Sequence, residues 1–152
     1  MEIVVRKGRK EDIPSILGLI RELAEYEKAL YEVVNTVEDM ERDGFGVEPV
    51  FRSLVAEAGG RIVGAAVYFV KYSTWKGKGV YLDDIVVTEP LRGRGIGSKL
   101  FEAVMDEARS MGARQMHWQV LDWNEPAIRF YRKYDTRFDG EWINCKLEWP
   151  PQ

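Results

Sequence analysis

Hydrophobic residues change their spacing several times along the chain, and each change marks an element. Ile3, Val4 and Val5 lead into Arg6 as a short strand, after which Ile13, Ile16, Leu17, Ile20, Leu23 and Ala24 recur at helical spacing. Pro14 fits that helix because it falls in the first turn, where its missing N–H has no partner to lose. Thr36 before Val37-Glu38-Asp39 predicts a capped start for a short second helix, which Gly44 and Gly46 stop. Runs rich in Val, Tyr, Phe and Ile then predict three successive antiparallel strands, Phe51 to Ala58, Ile62 to Tyr72 and Val80 to Thr88. Gly59-Gly60 between the first two is a hairpin signal.

After Gly95-Ile96-Gly97 the ladder Ile96, Leu100, Val104 and Ala108, with Phe101 and Met105 beside it, predicts an amphipathic helix ending near Gly112. Met116, Trp118 and Val120 alternate with Gln115, His117 and Gln119 as in a fifth strand. Pro126 to Tyr134 reads as a helix with its proline in the first turn, and Trp142 to Trp149 as a closing strand. No repeat, low-complexity tract or linker interrupts this order. The expectation is one domain over 1–152, of α+β class, around a mixed and mainly antiparallel sheet.

Composition narrows the partners. At 152 residues the chain has the length of one ordinary domain with a sizeable core. Its 22 Lys and Arg against 25 Asp and Glu leave a net charge of −3, so no global positive field exists to hold nucleic acid or an anionic membrane. The single cysteine, Cys145, excludes an intrachain disulfide and a thiolate zinc cluster, and a reducing, cytoplasmic setting is expected. Cys145 itself reads as a core thiol. The start Met1-Glu2-Ile3-Val4-Val5-Arg6 lacks the layout of a secretory leader, and no apolar run approaches the roughly 18 residues of a membrane span.

The most informative stretch runs from Val86-Val87 through Arg92-Gly93-Arg94-Gly95-Ile96-Gly97-Ser98 into the strongest helix. Glycines without Cβ atoms let backbone N–H groups approach an anion, and the helix start adds partial positive charge. Arg92 and Arg94 add full charges, so a diphosphate fits the pattern. A P-loop fails on order, because Gly97 is followed by Ser98-Lys99 instead of Lys-Ser. A dinucleotide fingerprint fails because its last glycine falls on Ser98 and because the turn follows the fourth strand. A plain glycine-rich connector with solvated arginines is the alternative reading.

In that context Arg92-Gly93-Arg94-Gly95-Ile96-Gly97 resembles the Arg/Gln-x-x-Gly-x-Gly/Ala signature of the GNAT acyltransferase superfamily. More narrowly the chain resembles the spermidine/spermine and thialysine N-acetyltransferases over nearly its whole length. The resemblance is carried by Leu23-Ala24-Glu25-Tyr26-Glu27-Lys28, Asp43-Gly44-Phe45-Gly46, Tyr72-Ser73-Thr74-Trp75-Lys76-Gly77, Tyr81-Leu82-Asp83-Asp84, Val120-Leu121-Asp122-Trp123-Asn124 and Phe130-Tyr131. Ser73, where the polyamine branch has an acid, places the chain with the thialysine branch and favours a lysine-like or diamine substrate. Two departures stand out: Tyr134-Asp135-Thr136 replaces a Gly-Ala turn, and Asp83 replaces a glutamate.

The resemblance implies a three-layer α/β/α fold and transfer of an acetyl group from acetyl-CoA to a small-molecule primary amine, without metal, by a cytoplasmic homodimer. Trp142 to Trp149 would lie near the subunit contact. Cofactor contacts would come from Ile85, Val86, Val87, residues 92 to 98 (Arg92, Gly93, Arg94, Gly95, Ile96, Gly97 and Ser98), Asn124 and Tyr131. Tyr131 is the implied general acid, since a phenol stays protonated at neutral pH and can donate to sulfur. Asp83 is the candidate base; Asp84, on the opposite face by strand alternation, would serve a different pocket. Tyr26, Glu27, Trp75 and the two aspartates are the candidate substrate contacts, by charge and cation–π attraction.

Each residue also has an ordinary alternative: packing for Tyr131, strand-end solvation for the aspartates, a charged helix end for Glu27, helix capping for Asn124. His117 reads as a packed strand residue. A non-catalytic acyl-CoA sensor, or an enzyme acetylating protein amines, would use the same signals.

Overall fold

A computed structural model describes residues 1–150. The chain falls into two compact units, 1–118 and 119–152. The first holds five strands, β1 (Ile3–Lys7), β2 (Arg52–Ala58), β3 (Arg61–Ser73), β4 (Gly77–Val87) and β5 (Gln115–His117), in one sheet of order β1-β2-β3-β4-β5. The first four pair antiparallel and β4 pairs parallel with β5, so the sheet is mixed and mainly antiparallel, as expected. Gly59 and Gly60 both take positive φ in the β2–β3 turn.

Helix α1 (Ile13–Tyr26) buries Ile13, Ile16, Leu17 and Leu19, and α2 (Val37–Phe45) buries Met40, against Val55, Ala65, Val67 and Val86 on one sheet face. Each such aliphatic side chain contributes about 1.5–3 kcal/mol by leaving water. On the opposite face α3 (Ile96–Ser110) buries Ile96, Leu100, Phe101, Val104 and Ala108, and Leu100 comes so close to Gly64 that a Cβ there would lie 3.0 Å from its Cδ1. Helix, sheet and helix therefore form three layers within the first unit.

The predicted end signals are seen in detail. Thr36 Oγ1 accepts from the Asp39 amide at 3.1 Å. Gly112 adopts φ 76 while its N–H and that of Ala113 return to Arg109 and Ala108, a Schellman motif.

The second unit contains α4 (Glu125–Arg132), two residues shorter at its C-terminal end than predicted. Three expectations need correction. The fifth strand spans only three residues and stops before Trp118 and Val120. Residues 142–149 form no strand: their apolar residues alternate, but alternation yields a strand only where an edge pairs with it, and among the described residues none does. Trp142, Ile143, Leu147 and Trp149 are instead 70–88% exposed, and Cys145 is an exposed thiol, not a core one.

Candidate active site

The glycine turn has the geometry of an anion cradle. β4 ends at Val87, a 3-10 turn covers Glu89–Leu91, and Gly93 and Gly95 take φ 79 and 82 before α3 begins. That left-handed backbone is what makes glycine necessary at these two positions. A Cβ on either would meet nothing within 4 Å, so open space lies before the turn. Among the described residues, the amides of 93 to 98 find no acceptor in the protein; the ladder begins with Lys99 N–H to Gly95 at 3.1 Å. Six consecutive donors are therefore without a protein partner at the positive end of a 15-residue helix. Ile96 is 2% exposed, which pins the helix start to the core. Gly97 and Ser98 are half-buried behind it, and Arg94 is exposed.

Arg92, exposed at the start of the turn, has side-chain partners in the protein. Its Nε donates to the Val87 carbonyl at 3.0 Å, its guanidinium stands 5.5 Å from the Tyr26 ring centroid, and Nη2 lies 3.7 Å from Glu22. Tyr26 is likewise the aromatic platform for Arg92. At the centre is Glu22, which the sequence reading did not single out: it accepts from the Glu89 amide at 2.8 Å and from Thr88 Oγ1 at 3.2 Å. The one available signal was its i, i+4 spacing to Tyr26 on α1, which any amphipathic helix also shows.

The aspartate pair sits on a β-bulge. Val67 pairs with Asp84 and Tyr68 with Leu82, so Asp83 is the unpaired extra residue. The bulge breaks the alternation on which opposite faces rested. Asp84 shares its pairing position with Val67 and lies two residues from Val86, both in the α1-side core. Burial, then the neighbouring charges of Asp83 and Glu27, push the Asp84 carboxyl up to about 7. The separate pocket expected for Asp84 is thus replaced by one acidic cluster. Asp83 is open to water along one side, yet crowding by protein raises its pKa as well.

Glu27 is fixed by the end of α1. Lys28, at φ 59, takes the position usually given to glycine, and the Lys28 and Ala29 amides return to Glu25 and Ala24. Partial burial raises the Glu27 pKa. Trp75 stands apart: it is 83% exposed in the β3–β4 turn, where Ser73 Oγ accepts from the Trp75 and Lys76 amides at 3.2 and 3.0 Å.

Pairing of β4 with β5 stops at Tyr81 and His117, whereas β4 runs on through Ile85, Val86 and Val87. The Val86 side chain is 5% exposed in the core, which leaves its backbone for any ligand contact.

In the second unit Asn124 is 7% exposed, and its Oδ1 accepts from the Ala127 amide at 3.3 Å, so the capping role is present. Tyr131 is also 7% exposed and packs edge-on to Phe130. Asp135 adopts φ 56 and Thr136 Oγ1 donates to the Tyr131 carbonyl at 2.6 Å. The departure at Tyr134-Asp135-Thr136 therefore keeps a left-handed turn, with aspartate where glycine is usual.

Comparison with known proteins identifies the family. The model of the acetyltransferase (GNAT) family matches residues 18–135. The thialysine N-epsilon-acetyltransferase of Mus musculus is 41% identical over 95% of this chain and 91% of its own length. That of Bos taurus is 42% identical over 86% and 81%. Among solved structures, an aminoglycoside N-acetyltransferase in complex with CoA superposes with a TM-score of 0.77 at 19% identity, covering 96% of this chain and 95% of that one, which speaks to the fold alone.

Proposed function

The chain belongs to the GNAT acetyltransferase family, and from that premise we propose that it moves an acetyl group from acetyl-CoA to a primary amine of a small molecule, by direct transfer through a ternary complex. The observation that carries the reading is the row of six unpaired amides at 93 to 98, which suits the diphosphate of CoA in number and charge. Acetyl-CoA supplies the acetyl group as a thioester. Residues 93 to 98 hold the diphosphate, with Arg94 adding charge, while Arg92 and Glu22 shape the turn. The backbone of Ile85 to Val87 and Asn124 are assigned to the rest of the cofactor.

An amine attacks only after losing its proton, and a base titrating near the working pH removes it best. Asp84, at about 7, meets that condition, with Asp83 beside it as the residue the family pattern assigns to the role. The same carboxylates, with Glu27, attract the cationic substrate before it is deprotonated. Tyr131 holds the proton that the departing sulfur needs. The lysine-like or diamine class of substrate follows the relatives' thialysine activity.

The reading extends to a homodimer in a reducing, cytoplasmic setting. Exposed Trp142, Ile143, Leu147 and Trp149 are the apolar surface a second copy would cover, and sedimentation velocity tests this as a doubled mass. No helix among the described residues is long and apolar enough to cross a membrane. The direct test of function is release of free CoA from acetyl-CoA across a panel of thialysine, lysine, ornithine, diamines, polyamines and peptides. Turnover on small amines supports the proposal; tight acetyl-CoA binding with no turnover on any amine rejects it.

A further inference from the structure

On the sheet face that carries α1, β3 presents Val67, Phe69 and Lys71 in turn. Phe69 pairs with Tyr81, and Tyr81 with His117 across three adjacent strands, and the Phe69 and Tyr81 rings stack at 5.2 Å. These three residues are half-buried and form an aromatic floor. At one end stand Asp84, Asp83 and Glu27. At the other stands Lys71, its Nζ 5.4 Å from the Tyr81 ring centroid. Among the described residues no carboxylate pairs with that ammonium.

The spacing has a consequence for what can lie there. Lys71 is four residues beyond Val67 on β3, but its ammonium reaches back over Tyr81, the partner of Phe69. The positive charge therefore sits about two residues, or roughly 7 Å, along the strand from the level of Asp84. A ligand spanning that floor must be positive at one end and negative at the other. Burial and the nearby Lys71 lower the pKa of His117, which disfavours a competing positive charge on the floor.

We propose that Lys71 is a specificity-determining residue that receives the α-carboxylate of a basic amino acid whose distal amine lies at Asp83 and Asp84. This rests on the amine-acetyltransferase reading and narrows it: free ω-amino acids of ornithine or lysine length are preferred over diamines and polyamines. A diamine of the same length would bring a second cation against Lys71 and leave its charge unanswered, which is discrimination by repulsion as well as by attraction.

The test compares kcat/KM for two matched pairs, lysine against cadaverine and ornithine against putrescine, which differ by the carboxylate alone. The wild-type chain favours each amino acid. In Lys71→Ala that preference falls by about 10- to 100-fold, the worth of one hydrogen bond to a charged group, and in Lys71→Glu it turns toward the diamine. CoA affinity and the melting temperature stay unchanged, because Lys71 is exposed and remote from the turn. Turnover with an unaltered preference in both variants, or a wild-type preference for the diamines, overturns the role of Lys71 while leaving the acetyltransferase reading intact. Absence of turnover with all four amines and with the wider panel overturns both.

Discussion

The Glu22 carboxylate on α1 accepts a 2.8 Å hydrogen bond from the backbone N–H of Glu89, the first residue of the connector that leads into the glycine turn. One side chain thereby ties the helix that carries Glu27 to the loop assigned to the cofactor. The same carboxylate takes the Thr88 hydroxyl and approaches Arg92. Glu22→Ala removes these acceptors, and hydrogen bonds to a charged group are worth about 1.5–3 kcal/mol each. CoA affinity is expected to fall about 10- to 100-fold by calorimetry, with Glu22→Gln recovering most of it through its remaining carbonyl acceptor. Equal loss in both variants, or none in either, would count against a positioning role.

Gly95 separates conformational strain from ligand contact. At φ 82, Gly95→Ala costs about 1–2 kcal/mol of stability, but its methyl group meets no protein atom within 4 Å. If a diphosphate occupies the space before the turn, that methyl intrudes on it. CoA affinity then falls by more than the loss measured by chemical denaturation, whereas equal losses in binding and stability would place the ligand elsewhere.

Asp84 makes a prediction about pH with a definite sign. Its carboxyl titrates near 7 in the folded chain against an ordinary 3.8, so the folded state binds more protons than the unfolded state between those values. Stability from this group is full below pH 4 and is lost as pH rises through 7, by on the order of 4 kcal/mol in total. Asp84→Asn should flatten that slope and raise stability at pH 8 in urea melts. In the same variant kcat/KM should drop by about 10²–10⁴ if Asp84 is the base, and its acidic limb near pH 7 should vanish. Full activity with the limb retained assigns the proton to Asp83.

Tyr131→Phe keeps the ring that packs against Phe130 and deletes only the hydroxyl. As general acid, Tyr131 accounts for about 10²–10⁴ of the rate, so kcat should fall at least tenfold while the variant melts within a few degrees of wild type. A smaller loss rejects the role.

What could be read from the residues was whatever depends on local backbone chemistry. Gly93 and Gly95 announce a left-handed turn because glycine alone enters it without a Cβ penalty, and Thr36 and Gly112 mark helix ends for similarly local reasons. What failed depended on partners distant in sequence. The aspartates were assigned opposite faces because alternation is the only rule available within one strand, and the bulge appears only when β3 pairs with β4. The contact of Arg92 with Glu22, 70 residues earlier, was likewise invisible in the local motif. The alternation of 142–149 predicts a strand only if some edge receives it, and the chain's own sequence does not specify that edge.

The central claim is that the amides of residues 93 to 98 bind the linked phosphates of CoA. Calorimetric titration with CoA and with pantetheine, which has the same arm and thiol but neither the linked phosphates nor the adenosine, tests it most directly. Titrated beside them, 4'-phosphopantetheine, also without adenosine, gains over pantetheine. Affinity for CoA at least a hundredfold above that for pantetheine, about 2.7 kcal/mol, is the predicted result. Equal affinities, or no binding of CoA, would contradict it.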